Sequence, residues 1–157
     1  MSTILFTHES CLDHEPGPGH PESPDRLNSV LSALKSNTFN ALIRREAPMG
    51  SVEQIARIHP RDHVEAILAA IPAEGRRALD PDTIASPGSG DAALRAAGAA
   101  CAAVDAVLSG DADNGFCAVR PPGHHAEQTK PMGFCLFNSI AVGAEHARAA
   151  HGLDRVA

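Results

Sequence analysis

The chain has 157 residues, enough for one domain with a buried core, and a formal net charge of -6. This charge, without any cluster of Lys and Arg, excludes a general nucleic-acid-binding protein. No apolar stretch is long enough to span a membrane, and the start lacks the pattern of a signal peptide. We therefore expect neither nucleic acid nor membrane as a partner, although a basic substrate remains compatible with the acidic charge.

The first half of the chain predicts strands alternating with helices. Strands are expected at 3–7 and 41–46, and helices at 24–36, 52–58 and 60–71. Ser23 and Ser51 are suitable N-caps, and Pro24 suits a first helical position. The loop between the first strand and the first helix is rich in Gly, Pro and His, and a connection of this length is often functional. Residues 73–88 are rich in Gly, Pro and Asp, which predicts a loop.

The second half predicts a long Ala-rich helix that is capped by Ser89 or Asp91, runs to Leu108 and packs closely against the sheet. A buried strand is expected at 116–119 and a helix from Asn138 to Gly152, and residues 154–157 have the pattern of a strand that begins. Strands alternating with helices indicate an α/β fold with a parallel sheet and right-handed crossovers. We expect one domain over residues 1–157.

The four cysteines show no paired short spacing, and two of them lie in apolar runs. Reduced core thiols are the expected state, and they indicate a cytoplasmic location. The cysteines are Cys11, Cys101, Cys117 and Cys135.

The principal candidate site is the adjacent pair His124 and His125, in a loop after the predicted strand at 116–119. Loops at the carboxyl ends of parallel strands are the usual position of sites in α/β proteins. Two successive His residues can take different parts, one moving a proton and the other stabilising charge. From the residues alone, a buried structural pair, a surface loop and adventitious metal binding remain alternatives. Gly123 allows close backbone approach in front of the pair.

The remaining His residues carry weaker predictions. His8, His14 and His20 lie near the first loop and could join a carboxylate in a metal cluster, but their spacing fits no zinc template. His59 and His63 are four residues apart on a predicted helix, without the Glu of the metalloprotease pattern. Solvated or capping roles are expected for these two.

Four segments together resemble the histone deacetylase family, in the class II branch that includes bacterial acetylpolyamine amidohydrolases. They are RPPGHHAE at 120–127, MGFCLFN at 132–138, GHPESPDRL at 19–27 and DTIASPGSGDAALRAAGAA at 82–100. The resemblance extends over almost the whole chain. It implies the arginase/deacetylase α/β fold, in which a parallel sheet lies between helices, and the zinc-dependent removal of acyl groups from amines.

The resemblance also implies roles for individual residues. His125 corresponds to the main general base and acid, and His124 to its electrostatic partner. Phe134 corresponds to the aromatic wall of a narrow substrate tunnel, and the Gly133 carbonyl faces the same tunnel. Two looser correspondences are Asp82, as a rim carboxylate that holds the substrate backbone, and Arg26, near an internal product channel.

The family's zinc ligands come from an Asp-x-Asp-x-His-type segment that would begin after Ala157 and from a later Asp. The sequence therefore predicts a partial fold, truncated before the later strands, with no metal ligands of its own. We expect this chain to be an incomplete N-terminal portion that binds no Zn²⁺ and is inactive alone. A non-catalytic remnant or interaction module is the alternative. Acetylated lysine and acetylated small amines are both candidate substrates, and a homo-oligomer remains open.

Overall fold

The computed structural model describes residues 1–157 and contains a parallel sheet, a hairpin and five α-helices. The strands are β1 Thr3–Thr7, β2 Ile43–Glu46, β3 Arg77–Asp80, β4 Thr83–Ala85 and β5 Asn114–Cys117. The helices are α1 Pro24–Ala33, α2 Val52–Ile55, α3 Arg61–Ala69, α4 Ser89–Leu108 and α5 Ser139–His151. Short 3-10 helices lie at Glu9–Leu12 and Asn37–Phe39. None of the helices combines the length and apolarity that crossing a membrane requires.

Strands β2, β1 and β5 form the parallel sheet, with β1 in the centre. Because successive side chains of a strand point to opposite faces, β1 contributes to two cores. Ile4 and Phe6 pack with alanines of α4 on one face, whereas Leu5 packs with Leu27 and Leu34 of the α1 segment on the other. The sheet thus lies between helices, as the alternation of strands and helices predicted.

Helix α4 is the central helix, and it contacts β1, β5 and α5. Most of its buried residues are Ala or Gly, so that neighbouring backbone approaches closely. At Gly98 an added Cβ would lie 2.5 Å from the backbone nitrogen of Gly50. The same chain segment is fixed to α4 by the Gly50 N–H, which donates to the Leu94 carbonyl at 2.9 Å. The predicted close packing of this helix is confirmed.

Residues 73–88 are not the predicted loop, because β3 and β4 pair there as an antiparallel hairpin. The N-cap of α4 is Gly88, not Ser89 or Asp91. Ser89 lies at the first helical position instead, where its hydroxyl accepts from the Ser86 N–H at 2.7 Å. Local composition indicated a turn-rich segment here but did not reveal that its two ends pair.

Strand β5 is shifted towards the N-terminus relative to the predicted strand at 116–119, and it is not fully buried. Phe116 is 47 % exposed, because β5 lies at the edge of the sheet and this face has little cover. Helices α1 and α2 end earlier than predicted, at Ala33 and Ile55. Residues 154–157 form no strand in this structure.

Candidate functional site

The motif-bearing loops that follow β1 and β5 meet beyond the carboxyl ends of these strands. This placement follows from the parallel arrangement, which puts both strand ends at one edge of the sheet. The loops enclose an open cavity of about 620 Å³. All six residues that the sequence singled out line this cavity: Arg26, Asp82, His124, His125, Gly133 and Phe134.

His124 and His125 are both exposed to the cavity, with ring centroids 4.3 Å apart and ring planes at 47°. Gly123, at the start of their loop, packs closely against the first residue of α5. A Cβ at this position would lie 2.6 Å from the backbone nitrogen of Ser139. A larger residue at this position would push the loop away from the start of α5. The two imidazoles are therefore presented to the cavity side by side, and the buried-pair alternative is wrong.

Gly133 and Phe134 form the wall beside the histidines, and both have positive φ, 58° and 70°. A Cβ on Gly133 would lie 2.5 Å from Cβ of His125, so this wall touches the imidazole-bearing loop directly. The Phe134 ring meets the His20 ring edge-on, with centroids 4.8 Å apart and an interplanar angle of 74°. The Gly133 carbonyl accepts a hydrogen bond from Sγ of Cys135 at 3.2 Å.

Asp82 lies in the turn between β3 and β4 and supports the Gly-Phe wall. Its Oδ1 accepts from the Gly133 N–H at 3.1 Å and from Oγ1 of Thr83 at 3.0 Å. The Phe134 N–H donates to the same Thr83 hydroxyl oxygen, also at 3.1 Å. Desolvation acts to raise the pKa of Asp82, but these hydrogen bonds outweigh it and hold the pKa below its ordinary value. The carboxylate is therefore ionised at the mouth of the cavity.

A buried ion pair between Glu22 and Arg120 joins the two motif loops, and no motif in the sequence indicated this pairing. Nε and Nη2 of Arg120 donate to the two Glu22 oxygens at 2.6 and 2.7 Å, in a bidentate arrangement. Two further N–H groups of Arg120 reach the carbonyls of Cys11 and His14. Both residues lie inside the motifs, GHPE and RPPGHH, but their contact spans 98 positions and has no local signal.

The three histidines of the first loop do not form the metal cluster that the sequence left open. His8 contacts the Ser10 hydroxyl at 2.8 Å, and His20 contacts backbone carbonyls. His14 is buried, with Nδ1 2.7 Å from the Ser89 hydroxyl and Nε2 3.4 Å from the Glu22 carboxylate. Each ring is engaged in holding the first loop in place, and His20 also contacts the wall of the cavity at the Asp82 carbonyl and the Phe134 ring.

The prediction that His59 is solvated or caps a helix is wrong. Its side chain is buried, and Nε2 accepts from the Asn138 N–H at 2.9 Å. Nδ1 must then carry the proton, and it donates to the Gln128 carbonyl at 2.9 Å. His59 thus fixes the segment between the His-His loop and α5. Its surroundings in the sequence gave no indication of this burial.

Arg26 is exposed and lies at a junction between cavities. It lines the large cavity and also a smaller one of about 180 Å³ between α1 and β5. Leu27, Val30 and Phe116 supply apolar lining to the smaller cavity. This placement is compatible with the predicted position of Arg26 near an internal channel, which stays a prediction.

The residues around His124 and His125 do not fit a zinc site. Three or more ligand groups of His, Cys, Asp or Glu converge at one place only, at Asp105, His146 and His151, and none of these lines the cavity. Within the cavity, the Glu22 carboxylate is held by Arg120, and Oδ1 of Asp82 is held by backbone and hydroxyl groups. No set of ligands remains there to enclose an ion.

The fold and this cavity define an α/β protein with two adjacent histidines at the ends of parallel strands. Residues 20–157 match the family model of the histone deacetylase domain, and the chain belongs to this family. A crystal structure of the HDA15 HD domain superimposes with a TM-score of 0.89 at 34 % identity, covering 95 % of this chain and 44 % of that one.

Curated relatives extend the same comparison. The chain is 40 % identical over 173 residues to a histone deacetylase-like amidohydrolase of Pseudomonas aeruginosa, covering 99 % of this chain and 45 % of that protein. It is 36 % identical over 166 residues to the human polyamine deacetylase HDAC10, covering 99 % of this chain and 25 % of HDAC10. The chain thus spans less than half the length of either relative.

Proposed function

We propose that this chain supplies the histidine-bearing half of an amide hydrolase site that removes acyl groups from lysine side chains or small amines. One observation carries the proposal: His124 and His125 lie side by side, exposed to a cavity that Phe134 and Gly133 border. Membership of the histone deacetylase family supports this interpretation over a structural role for the pair.

The two imidazoles can divide the proton transfers of amide hydrolysis. His125 accepts the proton of the attacking water and later donates a proton to the leaving amine, since imidazole exchanges protons readily near neutral pH. His124, with its ring centroid 4.3 Å away, stabilises the charge that develops between these steps. The Gly133 backbone packs closely against the His125 side chain, which leaves no room for a larger residue there.

The cavity wall suits an amine substrate that enters as an extended chain. Phe134 presents its ring beside the histidines, where it can contact methylene groups. Asp82 is ionised at the mouth and can accept from substrate N–H groups or attract a cationic amine. Arg26 lines both cavities, which supports a role for it on the route by which the acid product would leave.

Zinc, as the family's usual metal, would polarise the amide carbonyl as a Lewis acid. The residues that line the His124 and His125 cavity do not fit that ion, so we infer that the chain by itself has no hydrolase activity. The non-catalytic alternative, an interaction module that uses this part of the fold, remains the second candidate. The four free thiols also favour our proposal of a cytoplasmic location.

The test compares the 157-residue chain with the product of the same reading frame extended as far as the gene continues. Both are assayed with an acetyl-lysine peptide and with an acetylated diamine, in the presence of Zn²⁺. We expect turnover by the extended product only, and a loss of at least about 100-fold in kcat for His125→Ala. His63→Ala, which removes an imidazole outside the cavity, is the matched control.

Turnover by the 157-residue chain at the rate of the extended product would contradict the inference that the chain lacks a complete site. A reading frame that stops directly after Ala157 would favour the interaction module. The ratio of kcat/KM for the two substrates separates protein lysine from small amines as the physiological class.

A further inference from the structure

A cluster of three side chains at the far end of α5 has no part in the cavity. Asp105 lies in the last turn of α4, and His146 and His151 lie in the last turns of α5. Nε2 of each histidine is 2.7 Å from Oδ1 of Asp105. Helix α5 starts at the His-His loop, and its rise of about 1.5 Å per residue places His151 roughly 18 Å from that start.

The electrostatics at this cluster favour a cation. Helices α4 and α5 both end here, and the carbonyl ends of helices carry partial negative charge. Asp105 adds a full negative charge in the last turn of α4, where a carboxylate is unfavourable without a positive partner. No basic residue lies in that last turn of α4, and Arg148 in the last turn of α5 is paired with Glu145 at 2.7 Å.

We propose that Asp105, His146 and His151 bind a borderline divalent transition-metal ion, with Zn²⁺ or Co²⁺ as the model ions. The ligand atoms of the three residues all lie within 4.8 Å of one another. Two imidazole nitrogens and one carboxylate oxygen are a donor set that such ions prefer, and water completes the coordination. The ligand atoms of a tetrahedral zinc site lie roughly 3.4 Å apart, so small rotations of these side chains suffice.

Two features make the site partly preformed. The His146 side chain is only 8 % exposed, so its ring is fixed by packing before any ion arrives. The His146 and His151 rings meet in a T-shaped contact, with centroids 5.8 Å apart, and both Nε2 atoms already face Oδ1 of Asp105. Ion entry remains open because the Asp105 side chain is 52 % exposed and that of His151 is 29 % exposed.

Arg57 opposes metal binding at His146, so its replacement tests the proposed site. Its Nη1 donates to Nδ1 of His146 at 2.9 Å, and because a guanidinium can only donate, the His146 proton must lie on Nε2. Coordination through Nε2 moves that proton to Nδ1, which then faces the guanidinium. Arg57 is exposed and can turn into solvent, but it competes with the ion. Replacing it by Gln offers Nδ1–H an acceptor, as outer-shell partners of metal-bound histidines do.

The experiment titrates the 157-residue chain with Co²⁺, followed by visible absorption, and with Zn²⁺ by calorimetry. We expect one tightly bound ion, affinity lowered at least about tenfold by His151→Gln, and affinity raised several-fold by Arg57→Gln. The double variant His124→Gln with His125→Gln is the control for binding at the cavity, and we expect it to retain the ion. His151 is exposed enough that its replacement should leave the far-UV circular dichroism unchanged.

Two results would overturn the proposal. One is the absence of any bound ion at millimolar Zn²⁺, and the other is equal affinity in the His151→Gln and unmodified chains. Binding lost only in the His124 and His125 double variant would assign the ion to the cavity instead. Neither readout involves hydrolysis, so the outcome is independent of the proposed function.

Discussion

Replacing Glu22 by Gln is expected to destabilise the fold by about 3 kcal/mol, because it leaves the Arg120 guanidinium buried without its counter-charge. Glu22 is 1 % exposed and Arg120 is 3 % exposed, and the pair is bidentate. Burial acts to raise the pKa of Glu22, but hydrogen bonds from His14 and Arg120 outweigh it and lower the pKa from 4.5 to about 2. At about 1.4 kcal/mol for each pKa unit, this lowering also corresponds to about 3 kcal/mol.

The lowered pKa of Glu22 also determines how the stability of the folded chain changes with pH. The folded state binds the Glu22 proton less tightly than the unfolded state, so stabilisation is complete above the unfolded pKa of about 4.5. It is lost as the pH falls through the folded pKa of about 2. The difference between the parent chain and the Gln variant should therefore shrink across this interval and be largest near neutral pH.

Urea unfolding followed by far-UV circular dichroism measures the effect, since the chain contains no Trp or Tyr for fluorescence. Glu53→Gln is the matched control, because it breaks an exposed pair with Arg61 and should leave the midpoint nearly unchanged. Equal midpoints for the two variants would refute the reasoning. If Glu22→Gln does not fold, Glu22→Met with Arg120→Met should regain part of the stability, because it removes both buried charges.

Three further predictions concern the cavity wall, the cap of α5 and the thiols. Gly133→Ala should cost about 1–3 kcal/mol and shift the His125 NMR resonances, whereas Gly75→Ala, with similar φ and open space, should cost less and leave them in place. Asn138→Ala removes the cap bond to Ala141 and should cost about 1 kcal/mol in urea unfolding, and an unchanged midpoint would contradict the cap. Burial raises the pKa of Cys101 and of Cys117 to about 11, so both thiols should react slowly with a disulfide reagent at neutral pH until urea unfolds the chain.

Local sequence patterns were sufficient to predict the strands, helix ends and caps that are determined by a few neighbouring residues. The apolar run at Thr3–Thr7 is β1, and Asn138 and Gly152 are the caps of α5, with Gly152 in the left-handed conformation that ends a helix. Ser51 forms the complete capping box with Gln54. Each of these features depends on residues that are close together in the sequence, so each can be predicted without knowledge of the tertiary structure.

Features that depend on distant partners were missed or misplaced. The hairpin of β3 and β4 requires Arg77 to pair with Ala85, and no periodic apolar pattern marks either strand. Phe116 was expected to be buried, but an apolar side chain on an edge strand is covered only if another element packs there. His59 is buried because the loop that ends at Asn138 returns over it, and that return belongs to the tertiary fold.

The sequence by itself determined the α/β class and the family, and it singled out the His-His loop as the candidate site, because the residues of each motif are contiguous and their spacing is fixed. Only the tertiary structure decided how the site is held together. The Glu22–Arg120 pair joins loops that are 98 positions apart, and the contact of Gly133 with His125 joins two successive segments that fold back on each other. A buried charge is stable only beside its partner, so the Glu22–Arg120 pair forms only in the fold that brings these two loops together.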